Sequence, residues 1–290
     1  LDKYLRAHNV SRQAIEDMIE NIKKWYQKQN HLPQGHLHDQ VIGRFLAVGR
    51  FSVELTKQRI DNYFTARHKM PELLMEDPKS PMLDEYLKRA YWIVLPKLTP
   101  EKYRVTIFRC FFFIDLTRKI MTGVMGTYYK NIFLAEGDCF ILDYTNVTLQ
   151  NIVQFSPLLL SKVAFYIKYC LAPKVKRVYI VNMPTSTETI FNLIKKVLNK
   201  KLLERIHFCN SMEEVTQMFP RSIMPKDLGG EEISFQEIAD EWQKTLQSPE
   251  WRKYFIEQRN ARTDESKREV PTRANDLLGI DGSFRKLDID

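Results

Sequence analysis

Hydrophobic residues at helical spacing occupy the first third of the chain. The first such series begins at Ile15, behind Ser11, a residue type that commonly caps helix N-termini. The same spacing predicts two more helices, near residues 39–46 and 53–64, before a linker that contains three prolines. Since no segment here alternates like a strand, we predict that residues 1–80 form a helical unit.

Beyond the linker, the pattern changes to short runs rich in β-branched and aromatic residues. These runs predict four strands, over residues 105–114, 138–144, 175–181 and 205–209. Helical patterns lie between them, and alternating strands and helices are typical of parallel sheets with crossover helices. We therefore predict an α/β domain with a mostly parallel sheet over residues 81–235, then an acidic helical segment with a polar tail over residues 236–290.

Two of the predicted crossover helices leave alternatives open. The helix at 157–171 is apolar almost all round, which is typical either of a doubly buried helix or of the wall of an apolar cavity. The helix at 190–200 has an apolar arc flanked by Lys196 and Lys200. It is either an ordinary crossover helix with solvated lysines or an amphipathic helix that can exchange its apolar contacts for a membrane.

Charge is unevenly placed along the chain. The formal net charge is +8, yet the segment from Lys168 to Arg205 holds nine basic residues and only two acids. Residues 231–290 hold 14 acids and 10 basic residues, a net negative charge. Because the basic excess is localised, it indicates a surface for an anionic partner.

The chain shows few signs of an export or membrane-spanning protein. Its polar, helix-like start predicts no secretory signal, and its longest apolar run, residues 156–171, is interrupted by two lysines. The four cysteines are far apart in apolar surroundings, without paired spacing. We therefore expect buried free thiols in an intracellular protein.

Catalytic motifs are missing from the sequence. It contains no glycine-rich dinucleotide or phosphate loop and no nucleophile elbow. Asp143 and His207, each at a predicted strand end, are the remaining candidates, and a structural role at a turn or rim explains each at least as well. We expect a binding protein that is not an enzyme and that uses neither metal nor cofactor.

An ordered set of motifs does point to a family. The run Val178–Pro184 reads V-x-x-V-N-x-P, a capped helix follows it, and Met224–Gly230 supplies a proline and two glycines at the spacing P-x-x-x-G-G. Together with Gly137–Tyr144, this set resembles the CRAL-TRIO lipid-transfer family, in particular its branch of tocopherol and retinaldehyde carriers. The resemblance covers Leu83–Glu232 and extends to the helical front.

The resemblance implies a hydrophobic pocket between sheet and helices, closed by a mobile lid helix at Thr185–Leu198. It also implies a basic cluster that contacts phosphoinositide, consisting of Lys174, Lys176, Lys201 and Arg205. The implied pocket positions are Leu142, Val163, Tyr166, Ile167, Leu171, Val178, Ile194, Val197 and Leu198, with Ile120 and Val124 as further wall positions.

Two departures from the family pattern bear on function. Gly49 replaces an arginine of the front-unit motif, so that contact is either lost or made by Arg50. Ile120 and Val124 stand where the tocopherol branch carries serines. Without those hydroxyls, a less polar isoprenoid such as a retinoid or carotenoid becomes at least as plausible a ligand as tocopherol.

We therefore expect a cytoplasmic, monomeric carrier of one hydrophobic isoprenoid (a retinoid, carotenoid or tocopherol) that docks peripherally on phosphoinositide membranes. No nucleic-acid partner is expected. An alternative is a membrane-trafficking adaptor that is recruited by phosphoinositide, holds a structural lipid and presents its acidic tail to a protein. A third is a small-molecule enzyme that uses Asp143 or His207.

Overall fold

A computed structural model of the chain describes most of its residues. The described residues are 2–74, 77–88, 92–109, 135–145, 147–148, 157–171, 173–183 and 200–269. The predicted lid at Thr185–Leu198 and the wall positions Ile120 and Val124 therefore lie outside them.

Helices form the front of the molecule, as predicted, although there are four described helices where the sequence predicted three. They are α1 (Asp2–Ala7), α2 (Arg12–Gln27), α3 (Asp39–Val48) and α4 (Val53–Lys69). The Ser11 hydroxyl accepts a hydrogen bond from the Ala14 amide at 3.1 Å, and Ser52 caps α4 in the same way. Buried residues from α2, α3 and α4 pack into one apolar core.

A five-stranded sheet follows, in the order β1-β2-β3-β4-β5. Its strands are β1 (Trp92–Val94), β2 (Tyr103–Arg109), β3 (Gly137–Asp143), β4 (Val175–Val181) and β5 (Ile206–Cys209). The four predicted strands are parallel to one another, and β1 pairs antiparallel with β2. The pattern missed β1 because three residues are too few to show a period.

Further helices surround the sheet. They are α5 (Pro81–Lys88), α6 (Pro157–Phe165), α7 (Lys200–Leu203), α8 (Met212–Thr216), α9 (Phe235–Leu246) and α10 (Pro249–Asn260). A π-helical turn, Tyr166–Leu171, continues α6. Short 3-10 turns lie at Pro71–Leu73, Arg221–Ile223, Lys226–Leu228 and Glu265–Lys267. None of the described helices is long and apolar enough to cross a lipid bilayer.

The two faces of the sheet differ in burial. One, the sealed face, carries Cys139, Ile141, Tyr179 and Val181, all buried against apolar residues of α8 and α9 and the segment between these helices. The other, the half-buried face, contacts the front core and α6, and its residues Phe140, Leu142, Val178 and Ile206 keep intermediate exposure. Parallel sheets normally bury both faces fully, so this asymmetry marks the half-buried face as the unusual one.

The end of the described chain is packed against the front helices. The pattern predicts a polar tail here, yet Gln258, Ala261 and Thr263 are all buried. The Asp264 amide donates to the His31 carbonyl at 2.9 Å, and Arg268 pairs with Asp61 of α4 at 3.0 Å. We call residues 258–268 the clasp. Its partners lie about two hundred residues earlier in the chain, so no local pattern could predict it.

The C-terminal helices also hold the linker that precedes the sheet. Arg252 of α10 forms an ion pair with Asp77 and lowers the pKa of that carboxyl to about 2. Gln247 donates to Asp84 at 2.7 Å. The linker is therefore fixed between the front helices and the sheet by side chains of the C-terminal segment.

Three cysteines, Cys139, Cys170 and Cys209, are buried free thiols, as expected. Burial raises the pKa of the Cys139 thiol to about 11, so this group stays protonated and unreactive at neutral pH. The fourth, Cys110, lies outside the described residues.

The difference between the two sheet faces predicts different costs for two neighbouring truncations. Ile141→Ala empties a fully buried site on the sealed face and should cost about 3 kcal/mol of unfolding free energy. Leu142→Ala removes a half-buried side chain from the other face and should cost about half as much. Urea unfolding of both variants checks this, and equal losses would contradict the asymmetry.

Candidate functional site

Apolar side chains cross the half-buried face of the sheet in two rows. The pairing of the strands sets Trp92 beside Phe108, Phe108 beside Leu142, and Leu142 beside Ile180. In the next row, Phe140 lies beside Val178, which pairs with Ile206. The two rows form a continuous apolar floor across the sheet, and several of its side chains are incompletely covered.

Helix α6 and its π-helical turn share an apolar cluster with this floor. Val163 and Tyr166 are buried in that cluster, and Ile167 packs against it half-buried. A π-helical turn shifts the side chains that follow it relative to an α-helix, and such turns are frequent at functional sites. The turn itself packs against α4 of the front unit.

The structure brings most of the describable pocket positions together. Leu142, Val163, Tyr166, Ile167 and Val178 all belong to one apolar cluster. Leu171 ends the π-helical turn, and only its backbone is described. Ile194, Val197 and Leu198 lie outside the described residues, as do Ile120 and Val124.

Tyr166 has a more specific environment than a simple pocket wall. It is 2% exposed and lies where the π-helical turn packs against α4. Burial raises the pKa of its phenol, and the nearby positive charge of Arg67 on α4 lowers it by a smaller amount. The π-helical turn thus packs against the helix that carries a buried arginine, Arg67, which the sequence pattern did not single out.

The basic cluster lies near the amino ends of the parallel strands. Lys174 and Lys176 flank the first residue of β4, and a guanidinium nitrogen of Arg205 donates to the carbonyl of that residue, Val175. Lys201 lies exposed on α7, one helical turn before Arg205. The amino end of β4 therefore brings together Lys174, Lys176 and Arg205. We call this end of the sheet the basic edge, and Lys201 lies on the adjoining helix.

The side chain of Lys176 is held in place by its neighbours. A Cβ at Gly137 would lie only 2.3 Å from Lys176 Cγ, so the glycine leaves room for the lysine stem. The ammonium lies 5.4 Å from the ring centroid of Tyr103, within the range of a cation–π contact. These contacts hold Lys176 along the edge while leaving it exposed.

One carboxylate near the basic edge is already paired with an arginine. Asp138 is buried and lies 3.6 Å from Arg104. Burial raises the pKa of the Asp138 carboxyl, although the positive charges of Arg104 and Lys174 act in the opposite direction. Asp138 is thus paired with Arg104, whereas Lys176 and Lys201 of the basic cluster are exposed.

Among the described residues, neither candidate catalytic residue has partners that form a catalytic arrangement. Asp143 accepts hydrogen bonds from the Thr145 amide at 3.0 Å and from the Asn182 amide side chain at 3.2 Å, which stabilise the turn after β3. His207 is exposed on β5, its ring 5.5 Å from that of Tyr179. Within the described residues, no cluster of three metal-ligating side chains occurs.

Gly49 lies beside an arginine of α4. A Cβ there would lie 3.2 Å from Thr56 Oγ1 and 3.3 Å from Arg59 Nη1. Arg50 is exposed, with a left-handed backbone at φ 53°. The guanidinium next to Gly49 therefore comes from Arg59, an outcome that the sequence analysis did not consider.

Comparisons with known proteins agree with this geometry. The human and mouse proteins called "Alpha-tocopherol transfer protein-like" are 27% and 26% identical over 226 residues, which cover 75% of this chain and 64% of each relative. The human "Tyrosine-protein phosphatase non-receptor type 9" is 25% identical over 226 residues, but only 37% of its length is matched. The matched region thus spans less than two thirds of any of these relatives.

One solved structure and two family models also match this chain. A solved structure titled "Crystal structure of Sfh5" aligns with 81% of this chain and 96% of its own, at 13% identity and a TM-score of 0.44. Residues 11–83 match the family described as "Pinta-like, UBA domain". Residues 84–230, just over half of the chain, match the family described as "CRAL/TRIO domain", and the chain belongs to that family.

Proposed function

We propose that this chain binds one lipophilic molecule between the half-buried face and α6 and transfers it between membranes. The observation that carries the proposal is the contrast between the two faces of one sheet, sealed on one side and incompletely covered apolar surface on the other. The names of the tocopherol-transfer relatives support the same kind of cargo.

The physics of burial defines the transfer cycle. Covering apolar surface is worth about 25 cal/mol per Å², so a large apolar ligand bound in water is released readily only into another apolar phase. The carrier must therefore meet a membrane to unload. In the proposed cycle, residues 185–198 act as the lid, closed in water and open at the bilayer, and no covalent bond forms or breaks.

The proposed cargo is an isoprenoid with few polar groups. Of the describable wall residues, Leu142, Val163, Ile167 and Val178 are apolar, and Tyr166 adds a phenol. Largely apolar pockets select against ligands whose polar atoms would be left without partners. Ile120 and Val124, by the family resemblance, remove two hydroxyls from the wall. Retinoids and carotenoids fit these conditions at least as well as tocopherol does.

The basic edge is the proposed docking site for phosphoinositide headgroups. Cations near an anionic membrane surface contribute about 1 kcal/mol each, and the contribution weakens with salt. Converging cations favour a headgroup with several phosphates over a singly charged one. Arg205 is fixed by its hydrogen bond to Val175 and Lys176 by Tyr103, so less side-chain freedom is lost on binding.

The pocket predicts uptake of cargo from vesicles. The chain should extract all-trans-retinaldehyde, β-carotene or α-tocopherol from phosphatidylcholine vesicles to about one molecule per chain. Ile167→Asp should abolish extraction, because it introduces an unpaired charge into the apolar cluster. Ultracentrifugation followed by absorbance or fluorescence of the bound molecule measures the loss.

Ile256→Asp is the matched control for this test. Ile256 is an exposed apolar residue of α10, so the same substitution there should leave extraction at the level of the unsubstituted chain. Circular dichroism must show that both variants are folded. Extraction by folded Ile167→Asp at the unsubstituted level would contradict the pocket assignment.

The basic edge predicts selective membrane binding. A Lys174/Lys176/Lys201/Arg205 quadruple alanine variant should lose binding to phosphatidylinositol bisphosphate vesicles and should transfer cargo to them slowly. It should still hold cargo in solution, because the floor and α6 are unchanged. Vesicle co-sedimentation and a transfer assay between labelled vesicles measure the two effects.

A control of equal charge separates a site from general attraction. Lys24, Lys28, Lys244 and Lys253 are all exposed and lie away from the basic edge in the chain, so their joint alanine variant should keep phosphoinositide binding. Equal weakening in both variants, or equal weakening toward phosphatidylserine and phosphoinositide, would contradict the site. Docking without any transfer would favour the adaptor alternative.

A further inference from the structure

A buried arginine lies between the front helices, the pocket helix and the clasp. Arg67 of α4 is 2% exposed. Its Nε donates to the Gln258 carbonyl at 2.8 Å and its Nη1 to the Tyr63 carbonyl at 3.1 Å, while its guanidinium carbon lies 3.4 Å from the Tyr63 ring centroid. In the described part of the chain, no carboxylate forms an ion pair with Arg67.

The charge of Arg67 is stabilised by a helix end. Gln258 lies in the last turn of α10, where carbonyl groups lack intrahelical partners and carry partial negative charge. The planar guanidinium can donate in two directions and stack on a ring at the same time, which a lysine cannot do. Arg67 therefore joins α4 to α10 by a geometry that depends on an arginine.

The clasp holds α4 at a second place. Arg268 donates to both carboxylate oxygens of Asp61 at 3.0 Å and to Thr65 Oγ1 at 2.7 Å. The Gln258 side chain donates to the His36 carbonyl at 3.2 Å and receives a weak hydrogen bond from Tyr63. Two consecutive turns of α4 are thus tied to the C-terminal segment.

Helix α4 also packs against the pocket helix. Cys170 Sγ in the π-helical turn donates to the Asn62 carbonyl at 3.4 Å, and the whole turn packs against α4. Lys162 of α6 pairs with Glu72 just beyond α4. Helix α4 therefore lies between the clasp and the wall of the proposed pocket, and Arg67 is among its contacts to the C-terminal segment.

We propose that Arg67 is a positioning residue of the pocket wall: by joining α4 to the C-terminal segment, it holds in place the helix on which the π-helical turn Tyr166–Leu171 packs. The consequence for cargo rests on the proposed function, because a firmly held wall slows escape of the bound molecule. The rigidity of the turn rests only on the contacts between α4 and the turn. The clasp thereby acts on the pocket wall through α4.

Hydrogen exchange of the full chain tests the rigidity directly. Arg67→Met keeps the length and apolar stem but removes the charge and every donor, and it should raise exchange of the amides at 166–171 about tenfold. Arg104→Met is the matched control, because Arg104 is also a buried arginine, 4% exposed, but lies on β2. Arg104→Met should leave amide exchange at 166–171 unchanged even if it lowers the melting temperature more than Arg67→Met does.

A release assay tests the consequence for cargo. Chains loaded with all-trans-retinaldehyde are mixed with neutral phosphatidylcholine vesicles, and Arg67→Met should release the probe several times faster than Arg104→Met. If the unsubstituted chain never takes up the probe, the proposed function fails for this cargo, while hydrogen exchange still decides the role of Arg67. If uptake is normal and release is equal in both variants, Arg67 has no role in retention.

Arg67→Lys covers the case in which Arg67→Met does not fold. Lysine keeps the charge but not the forked donors, so exchange at 166–171 should still rise above that of the unsubstituted chain. Exchange that is unchanged in folded Arg67→Met or Arg67→Lys, or that rises equally in Arg104→Met, would overturn the proposal.

Discussion

The structure depends on how a parallel sheet covers its two faces. Strands joined by crossover helices are apolar on both sides, so each face needs a partner that excludes water. On the sealed face, α8 and α9 supply that partner, and Ile141 and Tyr179 are buried. On the other face, α6 and the front helices cover the floor only in part, and Leu142 and Val178 keep intermediate exposure. In the proposed function, a lipophilic molecule would cover the apolar surface that remains exposed on this face.

The front helices are joined both to the C-terminal segment and to the pocket helix. The clasp binds α4 through Arg268, Arg67 caps the end of α10, and α4 packs against the π-helical turn. Buried charges are costly unless hydrogen-bonded partners surround them. Here the partners are the Tyr63 carbonyl of the same helix and the Gln258 carbonyl of α10, so both of these bonds exist together only when α4 and the C-terminal segment are assembled. The front unit and the C-terminal segment therefore depend on one another.

Much of the fold could be predicted because its elements carry strong local patterns. Strands β2 to β5 are short apolar runs, and the front helices have clear caps such as Ser11 and Ser52. The three residues of β1 were too few to show a strand pattern, and the clasp consists of polar residues whose burial depends on partners far away in the chain.

Pocket positions were predicted by family resemblance rather than by pattern. Arg67 was not predicted, because nothing local distinguishes it from a solvated helix arginine. The basic edge was visible as charge, but not the contacts that hold Lys176 and Arg205.

Native mass spectrometry of the chain purified from its own source tests the central claim most directly. The account predicts that one lipophilic molecule of isoprenoid mass accompanies each chain under gentle ionisation and is lost on denaturation. Chains whose mass equals that of the polypeptide alone, from a preparation that also fails to take up added isoprenoid, would contradict it.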